Sequence, residues 1–260
     1  MSEVEPVEAP LSPMHRRIGD ALWVGMLHPW MTRGLVGLVV AIHGYVGVRM
    51  WLAHKTYVVG ILLGQRDLAT LEAVGAMRGL RVSGGEYWRL VSCILLHGDG
   101  MHILLNAVAL FALGRLCESV YGPVRLLFLF MLSGVCGSLL SWAGGNASSV
   151  GASGGIFGLM GAAIVFGFRF QKELPPMAGE LFRKRLLPWV ALNLFIGAVV
   201  PFIDNLGHVG GLVGGSLLAL FLRNRVIPRK EGTLVGTIAT GAIGGGLLLV
   251  GLLGVFGVLR

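Results

Sequence analysis

The sequence predicts an all-α polytopic membrane protein. Of its 260 residues, 55% are hydrophobic and only 13% are charged, whereas soluble domains average about 25% charged residues. The mean hydropathy is +0.78. Apolar runs close to the length that crosses a hydrocarbon core recur along the chain, and they predict seven transmembrane helices. The predicted helices span residues 34–53, 101–116, 124–144, 151–168, 187–203, 208–222 and 233–259.

The segment before the first predicted helix, residues 1–31, is expected to be a cytoplasmic, partly disordered tail. Four acidic residues precede any apolar run, which argues against both a cleavable signal and an Arg-rich transit peptide. They are Glu3, Glu5, Glu8 and Asp20.

Basic residues cluster in alternate loops, and this pattern predicts the orientation in the membrane. The short loops 142–150 and 204–207 contain no Lys or Arg, so by the positive-inside rule the N-terminus is cytoplasmic and the C-terminus is outside. Loop 1, residues 54–100, carries five basic residues on the outer side, but long translocated segments follow the rule poorly. The net charge of +8 is thereby explained without a nucleic-acid partner. The basic residues on the cytoplasmic side are Arg16, Arg17, Arg33, Arg115, Arg125, Arg169, Lys172, Arg183, Lys184, Arg185, Arg223, Arg225, Arg229 and Lys230.

Other features favour structural roles. Cys93, Cys117 and Cys136 have no paired spacing, so neither a metal site nor a disulfide framework is expected. No nucleotide loop or cofactor motif occurs, and no cofactor is predicted. Loop 1 contains an apolar run at 58–63, a short amphipathic stretch at 67–77, and Tyr, Trp and Arg at 87–89, a combination typical of a segment at the headgroup level.

Polar groups from three predicted helices lie at one depth. At the α-helical rise, Ser153, His208 and His102 stand roughly 24, 22 and 20 Å above the basic residues that end their helices. Asn106 lies one turn below His102 on the same face. Polar groups at this depth are functional candidates because they are costly in hydrocarbon. Together they include a possible nucleophile, a possible base and two hydrogen-bond donors.

Each feature alone has an ordinary explanation. A serine in a glycine-rich transmembrane helix usually serves close helix packing, and an intramembrane histidine such as His43 can simply bond a neighbouring helix. Residues 151–155 match the G-x-S-x-G nucleophile elbow, but that elbow requires a preceding strand in an α/β-hydrolase sheet. Only the combination is specific.

The combination resembles the rhomboid intramembrane serine proteases. It comprises Glu86-Tyr-Trp-Arg89, then His97-Gly-Asp-Gly-Met-His102-Ile-Leu-Leu-Asn106, Gly151-Ala-Ser153-Gly154 and Gly207-His208-Val-Gly-Gly211. The resemblance implies a rhomboid membrane domain at 32–260, with a six-helix core at about 86–222 and one extra C-terminal transmembrane helix at about 233–259. It implies that Ser153 and His208 are catalytic and that His102 and Asn106 form the oxyanion site.

Small residues and one aromatic ring are expected to complete this site. Gly154 and Gly158 on one helix, and Gly211 and Gly215 on another, predict a close helix contact that sets the distance between serine and histidine. Phe157, one turn from Ser153, is expected to stack on His208 and orient it. Asp204 would be the third member of a triad, but a dyad without a carboxylate is favoured.

These residues predict an intramembrane serine endopeptidase that cuts transmembrane protein substrates near the outer face of a bacterial plasma membrane. Two other classes stay open. One is an inactive rhomboid-like protein that binds transmembrane clients, against which the presence of both Ser153 and His208 argues. The other is a small transporter, although the helices show no inverted repeat and no midplane carboxylate. Nothing in the sequence indicates an oligomeric state.

The orientation is directly testable. A phosphatase that is active only outside the membrane, fused after Arg260, should be active because the Lys and Arg distribution places the C-terminus outside. The same reporter fused within the 169–185 loop should be inactive. A well-expressed but inactive C-terminal fusion would contradict the predicted topology.

Overall fold

The computed structural model describes residues 11–54, 67–146, 148–200, 203–227 and 234–259, which form a bundle of helices. The all-α prediction is confirmed. The only sheet among these residues is a two-residue antiparallel ladder in which Met77 pairs with Ser149. The elements are α1 (Pro13–Leu27), α2 (Trp30–His54), α3 (Leu68–Ala73), β1 (Met77–Arg78), α4 (Gly79–Ser83), α5 (Arg89–Ser92), α6 (Gly100–Tyr121), α7 (Pro123–Ala143), β2 (Ser148–Ser149), α8 (Ser153–Arg169), α9 (Pro176–Glu180), α10 (Leu186–Val199), α11 (Asn205–Phe221) and α12 (Leu234–Val255). A 3₁₀ turn, Cys93–Leu95, follows α5, and a π turn, Leu181–Arg185, joins α9 to α10.

Seven helices match the seven predicted spans: α2, α6, α7, α8, α10, α11 and α12. Within the described ranges, four segments are long and apolar enough to cross a bilayer, namely Pro13–Ala53, Gly100–Tyr121, Pro123–Ala143 and Gly236–Val255. Helices α8 and α11 are shorter, at 17 residues each. The predicted apolar run at 58–63 lies outside the described residues.

Helix α1 differs from the expectation of a partly disordered tail. Ser12 caps it, because its hydroxyl accepts the His15 N–H at 3.2 Å, and Pro13 occupies the first turn, where its missing N–H costs nothing. Ile18 and Leu22 are buried. Sequence reasoning missed this helix because Arg16, Arg17 and Asp20 interrupt its apolar residues, so that it contains no apolar run of transmembrane length.

A buried carboxylate joins α2 to α6. Glu118 is 2% exposed and accepts the backbone N–H groups of Met31 at 3.1 Å and Thr32 at 2.8 Å. The Thr32 hydroxyl also donates to it at 2.6 Å. Negative charge is favourable at a helix N-terminus, so Glu118 fixes the start of α2. This buried contact also explains why α6 continues to Tyr121, beyond its predicted end at 116.

Helices α7, α8 and α11 form the centre of the bundle and pack most extensively on one another. The chain enters α7 from α6 through Gly122, whose φ is +82°, and Pro123 then begins the helix. Helix α12 lies against α7 and α5, whereas α1 and α2 lie against α6.

A buried arginine holds together the described part of loop 1, residues 67–100. Arg89 is 5% exposed and donates to the Glu86 carboxylate at 2.6 Å and to the carbonyls of Glu72 at 2.7 Å and Ala76 at 3.0 Å. Its guanidinium lies 4.6 Å from the Trp88 ring centroid. Arg89 therefore bonds carbonyl acceptors within the loop rather than lipid headgroups. The interfacial depth expected for residues 87–89 stays a prediction.

A second, exposed arginine, Arg81, pairs with the same Glu86 carboxylate. Arg81 bonds Glu86 at 3.1 Å and Glu72 at 2.9 Å. Burial raises the pKa of the Glu86 carboxyl, but the hydrogen bonds and charges of Arg89 and Arg81 outweigh burial, so the pKa lies below its ordinary value. Loop 1 is thus held by an ionised network in neutral solution.

Candidate active site

Ser153 is the first residue of α8, and this helix start carries no side-chain cap. The first N–H groups of a helix have no intrahelical acceptor, so the Ser153 N–H points out of the helix end. The Ser153 side chain is only partly buried. A hydroxyl and an available backbone donor therefore meet at one accessible point.

Hydrogen bonds from loop 1 hold the backbone before Ser153. The Gly151 N–H donates to the Cys93 carbonyl at 2.9 Å, and the Ala152 N–H donates to His97 Nε2 at 3.4 Å. Gly151 has φ +134°, a conformation that side chains disfavour. The two N–H groups before Ser153 are thus occupied, whereas helix α8 supplies no acceptor for its own first N–H.

His102 faces the same small space as the Ser153 hydroxyl. A Cβ built on Gly151 would lie 2.8 Å from His102 Nε2 and 3.7 Å from Ser153 Oγ. Asp99 caps α6 by accepting the His102 N–H at 2.8 Å, so the glycine-rich turn around Asp99 fixes where His102 begins its helix. Only glycine at 151 leaves the imidazole this close.

Asn106 lies one turn further along α6 and is 8% exposed. One N–H of its amide donates to the His102 carbonyl at 2.9 Å. A carboxamide carries two N–H donors, so the second is available to a ligand oxygen.

His208 lies in the first turn of α11 and is 8% exposed. Its ring stacks on Phe157, with the centroids 4.3 Å apart and an interplanar angle of 11°. Its Nδ1 is buried and has no hydrogen-bond partner among the described residues. The expected stacking geometry is present, and no carboxylate in the described part of the chain accepts from this Nδ1.

Asp204 is fully engaged elsewhere. It caps α11 by accepting the Gly207 N–H at 2.8 Å, and it accepts the Asn146 amide at 2.7 Å. The hydroxyls of Ser141 at 2.5 Å and Ser149 at 2.6 Å also donate to it. Asp204 therefore ties the start of α11 to α7 and to the loop before α8.

Glycines bring α8 and α11 into backbone contact. A Cβ on Gly211 would collide with the Gly154 carbonyl, and a Cβ on Gly215 would collide with the Gly158 carbonyl. A Cβ on Gly154 itself would meet the Gly207 oxygen at 3.4 Å, which is a milder contact. The predicted glycine contact thus lets the backbones of α8 and α11 touch, because no side chain lies between them.

Sequence reasoning missed the part played by His97. Its ring is 1% exposed and lies edge-on to His102 with the centroids 5.1 Å apart. His43 of α2 lies behind it, with a centroid separation of 6.5 Å. The signal available was the five-residue spacing from His97 to His102, but spacing in a loop does not reveal which backbone N–H a side chain will accept.

No metal site accompanies these residues. Within the described ranges, no group of three His, Cys, Asp or Glu side chains has a geometry that could hold an ion. Cys93 and Cys117 are free and buried, and the Cys117 thiol contacts the Leu159 carbonyl at 3.3 Å.

The residues that carry this site lie within a known protein domain. The rhomboid domain matches residues 84–225, which include every predicted site residue. The chain belongs to the rhomboid family. Membership, together with the apolar helices, makes it an integral membrane protein with an all-α rhomboid-like fold.

Several relatives carry informative names. The rhomboid protease GluP of Bacillus subtilis is 35% identical over 159 residues, which are 61% of this chain and 31% of the relative. The RHOMBOID-like protein 1 of Arabidopsis thaliana is 38% identical over 60% of this chain and 40% of its own length. The rhomboid protease AarA of Providencia stuartii is 29% identical over 52% of this chain and 56% of its own length. The chain thus spans less than two thirds of each.

The glycine contact gives a test of stability. Gly211→Val should lower the thermal unfolding midpoint strongly, because overpacking a tight contact costs about 1–3 kcal/mol or more. Gly37→Val on α2 is the matched control, since a Cβ there meets nothing within 4 Å. Thermal unfolding in detergent compares the two variants. Equal midpoints for both would contradict the close α8–α11 packing.

Proposed function

We propose that this protein is an intramembrane serine endopeptidase with Ser153 as nucleophile and His208 as base. The observation that carries the proposal is the uncapped start of α8 at Ser153, beside a helix whose His208 is held by Phe157. The relatives GluP and AarA are named as rhomboid proteases. The family therefore supports proteolysis, and the geometry supports the assignment of residues.

The reaction follows from these groups. Ser153 Oγ attacks the scissile carbonyl carbon while the His208 imidazole takes the hydroxyl proton. The tetrahedral intermediate collapses to an acyl-enzyme, and the imidazolium returns the proton to the leaving amine. Water then repeats the sequence on the ester and releases the new carboxylate. Ser153 is partly exposed, which allows the required water to enter.

We assign three donors to the developing oxyanion. They are the Ser153 N–H, the His102 imidazole and the second N–H of Asn106. Donors already in place at such a site each contribute about 2.7–4 kcal/mol in soluble enzymes. Loop 1 supports them indirectly, because Cys93 and His97 hold the backbone of residues 151 and 152.

A dyad rather than a triad is proposed. In a triad, a carboxylate accepts the Nδ1 proton and orients the ring, but His208 Nδ1 has no such partner and Asp204 accepts four other donors. The parallel Phe157 ring restricts the imidazole to one plane instead. Phe157 is therefore proposed as a positioning residue.

The substrates proposed are transmembrane proteins that reach the site through the bilayer. Helix α6, which carries His102 and Asn106, exposes the apolar side chains Met101, Leu104 and Val108. A substrate helix can lie against them, but its scissile carbonyl must first leave its helical hydrogen bond. Cleavage is therefore expected at a small side chain near the outer end, where Gly or Pro weakens the helix.

The proposed orientation has a cytoplasmic N-terminus, in a bacterial plasma membrane, with residues 32–260 as the membrane domain. It is supported by the basic end of the bundle, opposite Ser153. There Arg225 donates to the Ser119 carbonyl at 3.0 Å, and a Cβ on Gly25 of α1 would contact the same Ser119. Helix α1 thus lies at the end that the charge pattern predicts to be inside.

Turnover of a model single-span substrate in proteoliposomes tests the proposal. Ser153→Ala and His208→Ala should each abolish cleavage with the fold intact. Asn106→Ala and His102→Ala should lower kcat about a hundredfold or more and leave KM nearly unchanged, because their bonds strengthen only in the transition state. Replacing Gly or Pro of the substrate by Leu should slow cleavage.

Three results would count against these assignments. Cleavage by Ser153→Ala would contradict the nucleophile assignment. Changes confined to KM in the Asn106 and His102 variants would contradict the oxyanion site. Equal rates on the Leu-substituted substrate would contradict the need to unwind the substrate helix. Binding of the substrate without cleavage by the wild-type protein would favour the alternative of an inactive client-binding rhomboid. Solute flux through the proteoliposomes would favour a transporter.

The dyad predicts that substitutions at Asp204 and Phe157 affect kcat differently. Asp204→Asn should lower the unfolding midpoint because it disturbs four hydrogen bonds, yet kcat of the folded enzyme should stay within roughly tenfold of wild type. Phe157→Ala should lower kcat clearly. Loss of a triad aspartate costs about four decades, so a loss of that size in Asp204→Asn would overturn the dyad.

A further inference from the structure

The C-terminal helix α12 is fixed along α7 by glycines. A Cβ on Gly244 would lie 2.9 Å from the Phe128 backbone, and a Cβ on Gly241 would lie 3.1 Å from Val124. Arg125 of α7 donates to the Thr237 hydroxyl at 2.7 Å. The helix is therefore attached to the central bundle over its first half and is not an independent anchor in lipid.

The second half of α12 lies against loop 1. A Cβ on Gly254 would be 2.5 Å from the Trp88 ring and 3.0 Å from Ser92 Cβ. A Cβ on Gly251 would be 3.1 Å from Leu95 Cδ1. Both glycines are buried. The helix thus lies close to α5 and the 3₁₀ turn that follows it. Gly254 leaves no room for a side chain, whereas a Cβ at Gly251 would require Leu95 to shift by a few tenths of an ångström.

Contact positions and lipid-facing positions differ along the same helix. Gly245 and Gly246 have nothing within 4 Å of a built Cβ, and Gly246 is exposed. Glycine therefore occurs on both faces. A Cβ would be crowded at Gly241, Gly244, Gly251 and Gly254 and would meet nothing at Gly245 and Gly246. Substitutions at a crowded glycine and at the open Gly246 can therefore be compared within the same helix.

Loop 1 connects α12 to the backbone beside Ser153. Cys93, the residue after Ser92, accepts the Gly151 N–H through its carbonyl at 2.9 Å. The β1–β2 pairing of Met77 with Ser149 fixes the same segment from the other side. The path from the Gly254 contact to the proposed nucleophile is therefore short. It runs from Ser92 to Cys93, through one hydrogen bond to Gly151, and along the chain to Ser153.

We propose that α12 braces loop 1 against α7 and that Gly251 and Gly254 are positioning residues for the backbone before Ser153. A side chain at either glycine would push α5 and its 3₁₀ turn away from α12, and the Gly151–Cys93 hydrogen bond would weaken. The expected effect on turnover rests on the proposed protease function. The expected displacement of α5 and the weaker Gly151–Cys93 hydrogen bond do not depend on that function.

Two measurements on the full chain in nanodiscs separate these statements. Amide hydrogen exchange should be about tenfold faster or more at Gly151 and across 88–97 in Gly254→Val than in wild type, because exchange reports local opening. The kcat for a model transmembrane substrate should fall about tenfold to a hundredfold, since small misplacements of reacting groups cost that much, and KM should stay the same. Gly246→Val should match wild type in both measurements.

Each outcome decides a specific point. Unchanged exchange at Gly151 in Gly254→Val, or equal changes in Gly254→Val and Gly246→Val, would overturn the brace. Faster exchange in a protein whose wild type cleaves nothing would support the brace and reject the protease proposal. Where Gly254→Val does not fold, Gly251→Ala is measured instead, because its Cβ makes a milder contact. It should change exchange and kcat in the same directions, and wild-type values would overturn the brace.

Discussion

The backbone contact between α8 and α11 is the constraint on which the candidate site depends. In a bilayer, lipid tails are as apolar as the side chains that helices present to each other, so association relies on close packing rather than on burial. Gly211 and Gly215 supply this packing against Gly154 and Gly158. Because Ser153 and His208 lie in the first turns of these two helices, the glycine contact sets their separation, and Phe157 then sets the plane of the imidazole.

Acidic residues fix where the neighbouring helices begin. Asp99 caps α6 just before His102, and Asp204 caps α11 just before His208. Glu118 of α6 caps the start of α2 in the same way, because it accepts the Thr32 N–H. Helix α8 has no side-chain cap, and its open N-terminus coincides with Ser153. Carboxylates thus satisfy the first donors of α2, α6 and α11. Helices α7 and α10 also lack a side-chain cap, but only at α8 does the uncapped start coincide with the proposed nucleophile.

The sequence predicted the seven apolar helices to within a few residues at most ends, because hydrocarbon length and composition constrain them strongly. It also predicted the Phe157–His208 stacking. Phe157 lies one turn after Ser153 on the same face of α8, so its ring reaches the histidine that faces this serine. It did not predict α1, because Arg16, Arg17 and Asp20 interrupt the apolar residues of this helix. Nor could it predict the inward turn of Arg89, because this depends on carbonyl acceptors at Glu72 and Ala76. Long-range contacts of this kind exist only in the folded loop.

Reaction with a fluorophosphonate tests the central proposal most directly, because it requires an activated serine but no knowledge of the substrate. The folded protein should gain one phosphonyl group, and peptide mapping should locate it on Ser153. His208→Ala should abolish the adduct while the free energy of unfolding stays within about 1 kcal/mol of wild type, as expected for a residue that acts chiefly in the chemistry. A folded wild-type protein that gains no adduct, or gains it at another serine, would contradict the account.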